Sequence, residues 1–280
     1  MAGRIDLHMH TVHSDGTLTT RQLMERARSV GLTTISITDH DNTGAIPEAL
    51  ALSREFGIEV IPGMELSASY LHQDIHLLGY FFDHTDDDLQ QYLNFYRQER
   101  RRRAERIVEK LNDLNIPLTF DAVLEKAGTG SIGRPHIANA LVEEGLAESY
   151  HEAFFKYIGV GKPAYEKKVQ VTPREAIELI AKAGGLSFIA HPGKALDESV
   201  VAQLIKQGVD GIEAVHPSHS PELTMYYKGI AQEYYLLISG GSDFHGGRRS
   251  DGEIFGKYVI SEEEVGMMRR RLSFPHSTRT

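Results

Sequence analysis

Apolar periodicity in this chain switches repeatedly between short strand-like runs and longer helical ones, and no other feature narrows the available folds as much. RIDLH from Arg4, TTISIT from Thr33, IEVIPG from Ile58 and DIHLLGYFF from Asp74 read as strands. Helices fall between the early strands, from Thr19 to Val30 behind a threonine cap and from Gly44 to Phe56. The rhythm returns late in the chain. Thr172-Pro173 opens a helix through Ala183, as an N-cap followed by proline at the first helical position does. LSFIAHPG, GIEAVHP, YLLISGGSDFH and GKYVI then read as strands, with helices from Ser199 to Gln207 and from about Pro221. Alternation of this kind predicts a parallel sheet, open or closed into a barrel.

Residues 84–170 break the rhythm, reading as consecutive helices from Asp86 to Leu114, Asp121 to Ala127, Pro135 to Glu144 and His151 to Tyr157. The expected organisation is therefore a barrel domain built from 1–83 and 171–272, a helical insertion over 84–170, and a tail over 273–280.

A hydrophobic share of 41% with 26 glycines is ordinary for a globular chain and excludes a disordered one, and no run is apolar enough to span a membrane. The net charge of -9 argues against a nucleic-acid coat protein, so stable DNA binding is not expected. Cysteine is absent, which removes disulfides, thiolate metal sites and a cysteine nucleophile. The N-terminal MAGRIDLHMH lacks the basic-then-apolar layout of a signal peptide, and a cytoplasmic address is the expectation.

Histidine is the unusual residue, with 14 copies. His8 and His10 stand two apart at the end of the first strand, so both side chains leave one face. Asp15 follows in a loop, His40 ends the second strand, Glu65 follows the third, and His76 lies on the next. His191, His216 and the pair Asp243/His245 come later. Nearly all sit where a strand gives way to a loop, the edge at which α/β barrels build active sites. Alone, each has a bland reading as a satisfied strand histidine or a turn. Together, imidazoles and carboxylates without thiolates make a nitrogen/oxygen site suited to Zn²⁺, Mn²⁺ or Fe²⁺. Gathering so many titratable groups without cations would cost several kcal/mol per uncompensated charge.

The series HMH, SDG, TDHD, PGMELS, IHLLGY, AHPG and GSDFH resembles the PHP (polymerase and histidinol phosphatase) family of metal-dependent phosphoesterases. With Gly133-Arg134-Pro135-His136 in the insertion, it is most similar to the branch of 3′,5′-nucleoside bisphosphate phosphatases and 5′→3′ exoribonucleases. The resemblance implies a distorted (β/α)7 TIM-like barrel with two or three divalent ions, manganese foremost and zinc or iron as alternatives. It implies that His8, His10, Glu65 and Asp243 hold one ion, that Glu65 bridges to a second completed by His76 and His191, and that Asp15, His40 and His245 hold a third. The family often has histidine where Asp15 stands. Arg134 would grip the phosphate and His136 would donate to it, with His216, His219 and Lys194 as further substrate contacts. Three ions against Asp15, Glu65 and Asp243 would leave the site at about +3, drawing a small phosphorylated nucleotide into an acidic protein.

Asp39 is expected to hold a ligand imidazole from behind. The run Arg100 to Arg103 reads first as a solvated helix face and second as a contact to an oligonucleotide backbone or to a second phosphate. Competing classes are a histidinol-phosphatase-like phosphomonoesterase, a metal-dependent amidohydrolase and an inactive metal-stabilised module. The amidohydrolases commonly bridge their metals with lysine, whereas Glu65 is the bridge here.

Overall fold

The computed structural model describes residues 3–71, 73–128, 130–169, 171–194, 196–247 and 251–273. Strands β1 (Ile5–Asp6), β2 (Thr34–Ile35) and β3 (Glu59–Val60) form a parallel sheet. Helices α1 (Thr20–Ser29) and α2 (Ile46–Phe56) cross between them. Thr19 and Gln22 close a reciprocal capping box on α1, and Leu23, Met24 and Ala27 on its inner face pack with Ile35, Ile37 and Ala49.

The second sheet has the order β4 (Gly63–Tyr70), β5 (Gln73–Tyr80), β6 (Leu186–Ile189), β7 (Gly211–Val215) and β8 (Leu237–Gly240). It departs from the all-parallel expectation: β4, β5 and β6 pair antiparallel, and only β6, β7 and β8 run parallel. The segment expected to be a loop after the third strand is the full strand β4. Only two positions separate β4 from β5, and a connection that short permits only antiparallel pairing. Helices α7 (Pro173–Lys182), α8 (Glu198–Lys206) and α9 (Pro221–Glu233) cover this sheet, burying Ile177, Ile180, Val201 and Leu204 against Leu66, Leu77 and Ile212. GKYVI is not a strand. Gly256 turns there with φ +73°, and Ile260 alone bridges Ile5. Helix α10 (Glu262–Leu272) follows behind a Ser261/Glu264 capping box.

Two seams join the sheets. At one, Leu7 N donates to Gly240 O, Asp243 N to His8 O and His10 N to Phe244 O. At the other, His40 bridges Glu65, with Asp41 N donating to Glu65 O. A shared core of Ile5, Leu7, Ile61, Leu78, Phe188 and Leu237 lies between them, closed by Val265 and Met268 of α10.

Residues 84–169 are helical, as expected: α3 (Asp87–Asp113), α4 (Phe120–Ala127), α5 (Arg134–Glu143) and α6 (Tyr150–Ala153), which runs into a π-helical turn at Phe154–Ile158. This segment has its own core of Ile107, Leu111, Val123, Leu141, Ala153 and Ile158. Leu89 and Leu93 at the start of α3 pack instead into the core of the second sheet, so the long helix is rooted in one body and extends into the other. Among the described residues, no helix is long and apolar enough to cross a membrane.

Candidate metal centre

The two spaced pairs are brought together by the residue inside each. Met9 and Phe244 bridge in parallel, and both side chains enter the core under α1 and α2. Strand alternation then turns His8, His10, Asp243 and His245 to the opposite face, toward one another. His10 Nε2 lies 3.1 Å from Asp243 Oδ1, and the rings of His10 and His245 stack at 4.2 Å. Both Asp243 (φ +50°) and His191 (φ +25°) adopt left-handed backbone, a strain that clusters at functional sites.

Glu65, 1% exposed, is the hub. Its Oε1 lies 2.6 Å from His76 Nδ1 and 2.9 Å from His191 Nε2. Its Oε2 lies 3.2 Å from His40 Nδ1 and 3.3 Å from Nε2 of both His8 and His10. The bridge places His40 beside Glu65, and the β4–β5 register places His76 diagonally across from it on the same face. His10, Asp15, His40 and His245 form a second grouping, with His245 Nε2 3.4 Å from Asp15 Oδ1. All nine expected ligand residues thus meet in one cluster.

This donor set fits divalent cations. Buried ring nitrogens of His40 (Nδ1), His76 (Nδ1), His216 (Nε2) and His245 (Nε2) approach carboxylate oxygens without hydrogen-bond geometry, and a cation between them would satisfy both. Burial works against ionising Glu65, yet His40, His76 and His8 hold its carboxyl well below the usual range. Asp243 is likewise held down against burial, by His8 and His245. Burial lowers His40 to about 3, keeping it neutral. Burial also opposes charge on His10, but Asp243 and Glu65 push it up to about 10, so a cation ligated there displaces a proton.

Glu213 on β7 is a carboxylate that the sequence reading lacks. Its Oε1 accepts from His8 Nδ1 at 2.9 Å and its Oε2 from His191 N at 2.6 Å. Asp39 touches no imidazole among its hydrogen bonds. It accepts from Thr11 N at 2.8 Å, Thr11 Oγ1 at 2.6 Å and Ser14 Oγ at 2.6 Å, and only through Ser14 Oγ, 3.4 Å from His10 Nδ1, does it reach a ring.

A cleft of about 550 Å³ is lined both by Asp15, His40, His76 and His191 of the cluster and by Arg100, Arg103, Arg134 and Lys168. Arg134 stands at its edge, over the rings of Phe154 and Tyr165 at 5.7 Å each. The arginine run divides. Arg101 and Arg102 are exposed and pair with Glu105 and Glu99, whereas Arg100 and Arg103 face the cleft. Arg100 is locked by Asp41 (Nε to Oδ2, 2.8 Å) and Ser67.

His136, His216, His219 and Lys194 are not among the lining residues. His136 turns Nδ1 back to accept from Gly133 N at 3.0 Å, closing the first turn of α5. His219 accepts from Gly193 N at 3.0 Å and donates to Ala214 O, so it fastens the loop after His191 instead of facing a ligand. His216 accepts from Ser218 N and lies 3.5 Å from Asp243. Lys194 is exposed.

An α/β scaffold that gathers imidazoles and carboxylates around one bridging glutamate, at the mouth of a cationic cleft, defines a metal-dependent hydrolase. Residues 6–196 match the PHP domain, and the chain belongs to that family. It is 34% identical over 247 residues to the 5′-3′ exoribonuclease Rnm of Escherichia coli, covering 86% of this chain and 84% of that one. It is 33% identical over 247 residues to the 3′,5′-nucleoside bisphosphate phosphatase of Chromobacterium violaceum, covering 86% and 87%. Among solved structures, a chain from Bifidobacterium adolescentis assigned as a candidate metal-dependent phosphoesterase matches with TM-score 0.88 at 33% identity, over 95% of this chain and 96% of that one. An amidohydrolase from Chromobacterium violaceum, with sulfate bound and no metal, matches with TM-score 0.84 at 31% identity, over 96% and 95%.

Proposed function

We propose that this protein removes the 3′-phosphate of nucleoside 3′,5′-bisphosphates and trims short RNA from a 5′-phosphorylated end. One observation carries the reading: members of the ligand cluster and four cationic side chains line the same cleft. Among the described residues, Asp41 and Asp74 are the carboxylates paired with those cations, which leaves a surplus of about +2, enough to balance one phosphate monoester. The names of the two curated relatives support the same pair of activities.

The nine residues named for the metals would hold two or three ions, manganese foremost. When bound, the ions lower the pKa of water toward about 7 and neutralise the non-bridging oxygens of the reacting phosphate. Glu213 adds a fourth carboxylate to Asp15, Glu65 and Asp243, so three ions leave the centre at about +2 instead of +3. Arg134 grips the second, non-reacting phosphate through its planar fork. Arg100, Arg103 and Lys168 join it on that phosphate, which fixes which ester bond meets the metals. His136 and His219 act as positioning residues for Arg134 and His191. The seams at Gly240/Leu7 and His40/Glu65 join the sheets into a distorted seven-membered ring, with 84–170 as the insertion that supplies the cationic wall.

The test is a substrate panel in Mn²⁺: adenosine 3′,5′-bisphosphate, short 5′-phosphorylated RNA, histidinol phosphate and a simple amide. The bisphosphate and the RNA should be turned over, with at least two transition-metal ions per chain by elemental analysis. His10→Ala and Asp243→Ala should abolish turnover, and Arg134→Ala should raise KM more than it lowers kcat. Full activity in metal-free protein, or histidinol phosphate preferred by a wide margin, refutes the reading.

A further inference from the structure

Something already sits where the anion of the proposed substrate would lie, and this inference rests on the two-phosphate reading above. Asp74 on β5 lines the cleft with a side chain 46% exposed, and it is the counter-ion of two cations at once. Its Oδ1 is 3.5 Å from Lys168 Nζ and its Oδ2 is 3.7 Å from Arg134 Nη2. Both separations are loose. Asp74 pairs with Ser69 near the β4–β5 turn, and its half-exposed carboxylate is already open to solvent. Asp41, the other carboxylate of this wall, is the opposite case: it is 3% exposed and tied to Ser67 N at 2.8 Å and to Arg100. Among the described residues, no carboxylate forms an ion pair with the Arg103 guanidinium. Its Nε donates to Glu166 O, and its Nη2 is buried without a partner. The wall therefore holds one fixed ion pair, one guanidinium with donor capacity to spare, and one exchangeable carboxylate shared by two cations.

We propose that Asp74 is a selectivity residue: it occupies the anion position between Arg134 and Lys168 and yields it to a terminal phosphate monoester but not to an internal phosphodiester. The basis is an exchange of charge. A phosphate monoester carries about -1.5 to -2 at pH 7, so replacing a carboxylate by it gains attraction to both cations. A phosphodiester carries a single charge. It gains nothing over the carboxylate it displaces, so the built-in competitor acts against it. Discrimination of this kind confines the enzyme to phosphorylated ends, and it serves the mononucleotide and RNA activities alike.

The probes are adenosine 5′-monophosphate and its 5′-methyl ester, titrated calorimetrically into the manganese-loaded protein. The native chain should bind the monoester at least tenfold tighter than the methyl ester. Asp74→Asn keeps the size of a half-exposed side chain and should compress that ratio below threefold, mainly by tightening the methyl ester. An unchanged ratio, or weaker binding of both probes, overturns the role of Asp74. Lys168→Met, run in parallel, should weaken the monoester at least fivefold. No effect there sinks the two-phosphate reading itself, whereas an effect there with an unchanged Asp74→Asn ratio sinks only the selectivity proposal.

Discussion

Glu213 divides its oxygens between two neighbours, and through them it orients two candidate ligands. By accepting from His8 Nδ1 it fixes the tautomer in which His8 Nε2 presents its lone pair to Glu65 and Asp243. By accepting from His191 N it holds a residue whose backbone is in the left-handed region. Glu213→Gln keeps the shape and loses the charge. Partners of this kind are worth about 10- to 100-fold in metal affinity, and chelator competition should show a loss of that size with the fold retained. Native affinity in the variant would remove Glu213 from the centre. Lys168 gives the residue scale its pH dependence. Burial lowers its ammonium to about 8, with Asp74 opposing. Anion binding should therefore weaken as pH rises through about 8, above the phosphate's own ionisation, and Lys168→Met should abolish that upper inflection. For stability the sign is reversed: between about 8 and 10.5 the unfolded chain keeps a proton that the folded one has released, so this group's contribution rises with pH across that window. Sequence named nine residues of the cluster because each lies in a short, polar, recognisable motif. It missed Glu213, which sits inside the apolar-flanked β7 with no partner two residues away, and it misjudged His219, whose ring is used up by backbone 5 residues and 26 residues distant.

Among the elements, the pairs His8/His10 and Asp243/His245 are aligned by a single bridge, and the glycine before the second pair permits it. A Cβ on Gly241 would lie 2.4 Å from His8 Cβ and 2.4 Å from His8 N, so this approach tolerates no side chain. Gly241→Ala should cost about 1–3 kcal/mol by overpacking and should lower bound metal as well, since the displaced strand carries His8. Differential scanning calorimetry with elemental analysis reads both effects. A variant with native Tm and native metal content would show that the seam is slack. Helix ends were legible for a physical reason: caps are local, and Thr19 and Thr172 announce α1 and α7 within four residues, whereas α10 behind its Ser261/Glu264 box went unread. Direction of pairing was not, because β4 follows β3 after only two residues and carries small and polar side chains, Gly63, Ser67 and Ser69, that mimic a loop. The inward turn of Arg100 and Arg103 was equally hidden. Helical spacing distributes the run over several faces, but only the packing of α3 against Glu166 and Asp41 decides which face meets the cleft.

Over the whole molecule, acidity and site chemistry pull in opposite directions. The chain carries -9, and Asp15, Glu65, Glu213 and Asp243 add to that charge at one buried point. Folding without cations must bring these carboxylates together with only imidazoles between them, so the centre is a destabilised region that ions convert into a stabilised one. A ligand that binds only the folded state contributes about 2.7 kcal/mol at a hundred times its Kd, and for a chain of this size that shifts Tm by about 5 °C. Manganese added to chelator-treated protein should therefore raise Tm by that much, saturably, and excess chelator should return it. Asp243→Ala removes one of the clustered carboxylates and His10→Ala one of the imidazoles that compensate them, so the first should start from the higher metal-free Tm, and both should lose most of the manganese response. Were native and variant proteins to rise equally with manganese, the ions would be binding the acidic surface, and the clustered residues would owe their convergence to packing alone.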